Sequence, residues 1–202
     1  MTAYTDSIGQ PISAEALTRL PEADGRHELE RGRLLTFPFR SPRHGIASLR
    51  IACSLFAHVT TSGLGKVYPS GTGYQLTWDP DTVRVPSVSF LSAQRQAEQT
   101  PLHSYIQGAP DLAVEITAPP DGFGKVLSRA LMWLHHGSPM VLVVDPAAQL
   151  AARLRSRGDV RVTGPSEPFG GEDIVPGWSM TFGESFDQAL LSPPRRVRRR
   201  PC

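Results

Sequence analysis

Glu115 is the residue whose setting most constrains the chemistry, because it is the one acid inside the apolar run of DLAVEIT. Successive side chains of a strand point to opposite faces. Leu112, Val114 and Ile116 therefore share one face, and Asp111, Ala113, Glu115 and Thr117 the other. A carboxylate so placed faces either solvent on a half-exposed strand or a polar site, and the alternation leaves both readings open. Downstream, Lys125 and Arg129 stand four apart in a helical pattern, which puts them one turn from each other on one face. His135 and His136 are neighbours on the same pattern. Their side chains diverge by about 100°, so they do not readily share one metal ion. His44 follows Ser41-Pro42-Arg43 at a helix start, where it could meet a phosphate or simply lie on the surface. Gly71-Thr72-Gly73 precedes a strand pattern and not a helix, so it is no dinucleotide fingerprint. The sequence has no zinc-ligand spacing, no P-loop and no G-x-S-x-G.

The elements that must hold these residues read as follows. SAEALTRLP is a short helix capped by Ser13, with Pro21 just past its end. RHELERGRLLTF is two short strands around an Arg31-Gly32 turn. SPRHGIASLRIACSLFAHVTTSG is the clearest helix, with Ser41 as cap, Pro42 at its first position and Gly63 at its end. Ile46, Leu49, Cys53 and Phe56, with Ala52, Leu55 and Val59, supply its expected buried face. KVYPS, GYQLTW and VRVPSVSFL are strands, the last interrupted at Pro86, which cannot donate to a ladder. A polar stretch, SAQRQAEQT, leads to the DLAVEIT strand. A second helix runs from about Phe123 to His136, its stripe made by Phe123, Val126, Leu127, Ala130, Leu131 and Leu134. PMVLVVDP has the continuous apolar pattern of a strand covered on both faces. AAQLAARLRSRG and DVRVTG form a hairpin, and EDIVPGWSMTFGESF a strand with short loops. Strand, helix, strand over 111–145 is a βαβ unit, and the whole order is a mixed α/β sheet with helices packed on it.

A chain of 202 residues with 40% hydrophobic and 20% charged residues fits one globular domain and excludes a disordered protein. No stretch approaches the roughly 20 apolar residues of a membrane span, and MTAYTDSIGQ is unlike a secretory signal. Cys53 and Cys202 are the only cysteines and form no scaffold, so a reducing, cytoplasmic location is expected. The formal charge is +2, but Arg195, Arg196, Arg198, Arg199 and Arg200 sit together at the end; removing those five leaves −3. The body is mildly acidic, and the tail could hold phosphates or be a solvated chain end.

The run GAPDLAVEITAPPD with the helix after it, and HHGSPMVLVVDP, resemble the Uma-two family of restriction-endonuclease-like proteins, in the PD-(D/E)xK nuclease superfamily. The opening RHELERGRL, the helix entered through SPRH, and VRVPSVSFL extend the likeness from about Leu20 to Pro146, with an echo in IVPGWSMTF. The resemblance implies an α/β fold: a restriction-endonuclease-like mixed β-sheet flanked by helices, in a single domain over residues 1–190, with 191–202 as the basic tail. It implies metal-dependent hydrolysis of DNA phosphodiesters with Mg²⁺ or Mn²⁺, a homodimer, and neither a small-molecule cofactor nor a membrane. The ion would polarise the phosphate and lower the pKa of a bound water, while a lysine offsets developing charge.

Carried over position by position, Glu115 matches the family's strand glutamate and metal ligand, and Glu28 the glutamate of its opening hairpin. Two positions depart. The aspartate after the proline reads Ser87, a neutral and poor ligand for Mg²⁺. The lysine four residues before an aromatic, counted back from Val144-Asp145-Pro146, reads Arg129, before Trp133. Arginine keeps the charge but does not release a proton. Lys125, one turn away, either reaches toward the lysine's place or is a solvated first-turn residue. Two functions therefore stay open: a nuclease using Glu115, Glu28 and a helix cation, and a non-catalytic relative that binds nucleic acid or a protein. The acidic body leaves a structural role as a third. The expected geometry places Glu115 and Glu28 in one concave polar site, with Lys125 and Arg129 both projecting toward it.

Overall fold

The computed structural model describes residues 3–4, 11–21, 25–38, 40–99, 105–117 and 123–185. Strand β1 (Ala3–Tyr4) precedes helix α1 (Ala14–Leu17), whose cap Ser13 accepts the Ala16 N–H. Strands β2 (Arg26–Glu30) and β3 (Arg33–Phe37) pair antiparallel through Arg31 and Gly32, at φ 51° and 75°. A two-residue hairpin turn needs such a left-handed pair to match strand twist. The turn is fastened from outside: the Gly32 N–H donates to the Asp81 carbonyl at 2.7 Å and the Arg31 N–H to Thr82 Oγ1 at 3.2 Å. That contact fixes the hairpin, and Glu28 with it.

Helix α2 (Pro42–Ser62) has the expected ends, since Ser41 accepts the His44 N–H and Gly63 closes it at φ 64°. Its buried face differs from the expected one. His44, Ala47, Ser48, Ile51, Leu55 and Val59 are buried, whereas Leu49 and Phe56 are 62% and 57% exposed and Cys53 is exposed. Apolar residues on this helix fill two adjacent stripes, each with helical spacing. Contact with the sheet selects the one containing small Ala47, and that choice turns His44 inward.

The chain continues through β4 (Gly65–Pro69), β5 (Tyr74–Thr77), β6 (Thr82–Arg84) and β7 (Val88–Ser92). Helix α3 (Ala93–Ala97), capped by Ser92, lies in the stretch expected to be a polar connection. It buries none of its residues, so no periodic signal marks it. Strands β8 (Ile106–Gln107) and β9 (Leu112–Ile116), helix α4 (Phe123–His135) and strand β10 (Met140–Asp145) follow. The chain then runs through β11 (Leu150–Leu154), β12 (Val160–Thr163), β13 (Phe169–Gly170), β14 (Ser179–Met180) and helix α5 (Phe182–Ser185).

The strands build two mixed six-stranded sheets, ordered β1-β3-β2-β6-β5-β8 and β12-β11-β10-β9-β7-β4, and a small β13-β14 ribbon. The architecture is the mixed α/β one expected, a single domain of mixed sheets flanked by helices. In the second sheet β9 and β10 are parallel with α4 between them, so 111–145 forms the βαβ unit. Leu112, Val114 and Ile116 pack with Ile51, Leu55, Trp178 and Phe182 on the α2 side. Ala113 packs with Trp133, Ala130, Tyr74 and Val141 on the α4 side. Strand β9 is thus covered on both faces, which answers the question left open by alternation: Glu115 faces α4, not bulk solvent. Among the described residues no helix is long and apolar enough to cross a membrane. The 190/191 boundary and the arginine tail lie outside the described residues.

Candidate functional site

Glu28 is fully buried in the middle of β2 and is met by three guanidinium groups. Arg26, two residues before it on the same strand face, places Nη2 3.0 Å from Oε1. Arg84 on β6 places Nη1 3.2 Å from Oε2 and, at the solvent side, Nη2 2.8 Å from half-exposed Glu30. Arg129 arrives from α4, its Nη1 donating to Oε2 at 3.0 Å. The same residue ties in the second sheet. Its Nη2 donates to Glu115 Oε1 at 3.1 Å and to the Val85 carbonyl at 3.0 Å, with Glu28 Oε1 at a longer 3.4 Å. The Trp133 indole N–H, one turn along, donates to Glu115 Oε1 at 2.7 Å. The Phe37 ring lies under two of these cations, 5.2 Å from Arg26 Cζ and 5.6 Å from Arg129 Cζ.

The electrostatics follow from that crowding. Burial pushes the Glu28 carboxyl up, but Arg129, Arg26 and Arg84 outweigh it and hold the pKa down at about 2. Burial lowers the Arg129 pKa, while Glu115 and Glu28 more than offset this and raise it. Arg26 is lowered, first by burial, with Glu28 opposing. Glu28, Glu115 and Glu30 balance Arg26, Arg84 and Arg129, so the cluster is formally neutral as it stands.

Glu28 and Glu115 do lie in one polar site, as expected, but they are joined through Arg129 in a closed network and not open as a concavity. It lies beside Val126, Ala130 and Trp133, which form the buried face of α4. Lys125 does not join it. It is exposed in the first turn, about 6 Å further along the axis, and makes no hydrogen bond or ion pair among the described residues. Ser87 sits just before β7, where its Oγ accepts the Ile116 N–H at 3.2 Å and lies 3.3 Å from His44 Nε2. Both side chains are buried, so His44 is not on the surface. The His135 and His136 rings meet edge to face with centroids 5.0 Å apart. No group of three or more His, Cys, Asp or Glu gathers as a cation site among the described residues.

Sequence reasoning missed Arg26, Arg84 and Trp133 as partners. The signals were present: Arg26 and Glu28 alternate onto one strand face, and Arg84 is a lone charge between valines, as Glu115 is between Val114 and Ile116.

The comparisons agree with the fold. The crystal structure of a putative nuclease belonging to DUF820 from Anabaena variabilis is similar, with 20% identity and a TM-score of 0.73. The match covers 90% of this chain and 100% of that one. No protein of curated function matches the chain significantly. The family described as putative restriction endonucleases, Uma2, matches residues 14–183, most of the chain; the protein belongs to that family.

Proposed function

We propose that the protein is a DNA-binding member of this nuclease family that does not cut DNA through a two-carboxylate metal centre. One observation carries the reading: the Arg129 guanidinium donates to both Glu28 and Glu115. A hard cation such as Mg²⁺ needs free oxygen ligands in near-octahedral geometry. Here the two matched carboxylates are already hydrogen-bonded to cations, and Ser87 is neutral and engaged by His44 and Ile116. The residues present do not fit the ion that the family resemblance implies. The charge balance supports the same reading. Two unit charges about 4 Å apart interact by about 4 kcal/mol at an effective dielectric of 20, so in a formally neutral cluster the attraction of each carboxylate for a dication is matched by repulsion from a guanidinium, and nothing offsets the ion's loss of hydration. Family membership and 19 arginines, five of them in the tail, support DNA as the partner.

The test is fluorescence anisotropy with a labelled duplex, in EDTA and in Mg²⁺, beside a supercoiled-plasmid nicking assay in Mg²⁺ or Mn²⁺. The expected result is binding that EDTA leaves unchanged, that weakens with salt, and that is accompanied by no nicking. EDTA-sensitive nicking that Glu115→Gln abolishes would overturn the reading.

A further inference from the structure

We infer that the free edge of β12 takes up an extended segment of a partner protein, one that alternates apolar and acidic residues, as a further strand of the second sheet. Strand β12 ends that sheet, with β11 on one side and no strand on the other among the described residues. The Arg155 N–H donates to the Asp159 carbonyl at 3.0 Å, and the register then pairs Arg153 with Arg161 and Ala151 with Thr163. Bonds alternate along an antiparallel ladder, so these residues bond across to each other, while the N–H and C=O of Val160 and Val162 point to the free side. Such a row of backbone groups is a template for another strand. The side chains agree with the backbone. Val160 and Val162 lie on the face shared with Leu154 and Ala152, the face that α4 covers over β9 and β10. That cover stops short of the edge, where Val160, Val162 and Leu150 are 47%, 59% and 42% exposed. The other face of the strand carries Arg161, exposed and directly across from Arg153. Arg153 is held by Asp159 and Glu172, whereas Arg161 makes no hydrogen bond or ion pair among the described residues. A second copy of the chain answers this edge poorly. The register that uses the backbone of Val160 and Val162 in both copies puts the two Arg161 side chains opposite each other, and like charges so placed destabilise a strand pair. The arginine-rich tail has the wrong charge as well. An acid opposite Arg161, flanked by apolar residues opposite the two valines, matches the edge in backbone, face and charge.

This edge lies outside the arginine–glutamate cluster, and its test uses no DNA. The probe is a short, end-blocked, fluorescein-labelled peptide alternating valine and glutamate, titrated with the full-length protein and read by anisotropy; its twin carries lysine for glutamate. The variants are Arg161→Glu and Val162→Pro. The first reverses an exposed charge and leaves the melting temperature unchanged. The second removes an N–H that points off the sheet, a place where an edge strand tolerates proline. The expected result is a wild type that binds the glutamate peptide in preference to the lysine one. Arg161→Glu weakens the glutamate peptide about fivefold and reverses the preference. Val162→Pro weakens it about tenfold. If Val162→Pro does not fold, Arg161→Glu decides alone. No saturable binding of the glutamate peptide, equal affinity for both peptides, or binding that neither variant changes overturns the inference. Light scattering of the wild type alone gives the last check: a dimer that Val162→Pro dissociates would mean that a second copy fills the edge, and would overturn it too.

Discussion

Glu28→Gln should remove a block of stability that the wild type loses only in acid. The carboxyl is fully buried among Arg26, Arg84 and Arg129, and its pKa falls from the ordinary 4.5 to about 2. A folded-state pKa below the unfolded one means that the unfolded chain binds the proton more readily. The resulting stabilisation is complete above about pH 4.5 and drains away as pH falls toward 2. Converted at about 1.4 kcal/mol per tenfold change in proton affinity, it is on the order of 3 kcal/mol. An independent argument gives a similar figure. Glutamine keeps the shape but leaves three guanidiniums facing only Glu115 and Glu30, and removing one partner of a buried ion pair costs about 3–5 kcal/mol. Urea unfolding of both proteins between pH 7 and pH 2 measures the difference. It should be about 3 kcal/mol near neutrality and shrink steadily below about pH 4.5 as Glu28 itself becomes neutral. A gap below about 1 kcal/mol at pH 7, or curves that stay parallel into acid, would refute the idea that Glu28 is held ionised by the arginines.

Three further outcomes are expected. Trp133→Phe takes away the 2.7 Å donor to buried Glu115 and should cost about 1–3 kcal/mol in urea unfolding, a loss that shrinks when Glu115→Gln is also present. Ser41→Ala leaves the His44 N–H without its capping acceptor and should cost about 1 kcal/mol, read as a lower melting temperature. Leu49→Glu, on the exposed stripe of α2, should change stability by less than about 0.5 kcal/mol, whereas Ile51→Ala should cost about 2–5 kcal/mol; the reverse order would mean that the helix presents its other face to the core.

The elements were legible where local chemistry speaks. Ser41, Pro42 and Gly63 mark both ends of α2, Arg31-Gly32 marks the hairpin, and the apolar run 140–145 marks a strand buried on two faces. What the sequence reading got wrong was the rotation of α2, whose expected buried face included the exposed Leu49, Cys53 and Phe56, and what it left open was polar partnership. Periodicity on α2 fits two neighbouring stripes, and only the sheet decides between them, with the consequence that His44 turns inward to meet Ser87. Alternation placed Glu115 opposite Leu112 and Val114, but it does not say whether that second face is wet; α4 decides it by covering the face with Ala130 and Trp133. Alignment to the family pointed to Arg129 as a substituted lysine, while its pairing with both Glu28 and Glu115 depends on two sheets meeting across a distance of 101 residues in the chain. Arg26 and Arg84 stand out in the sequence as charges in strand patterns, but their partners do not: a single charge in a strand reads as surface until the neighbouring strand is known.

The most direct test of the account is a crystal structure of the wild-type protein grown with excess Mn²⁺ and measured at a wavelength where manganese scatters anomalously. The account predicts Arg129 within hydrogen-bond distance of both Glu28 and Glu115, with no anomalous peak among Glu115, Glu28 and Ser87. A manganese peak there, with Arg129 swung away from the two carboxylates, would contradict it.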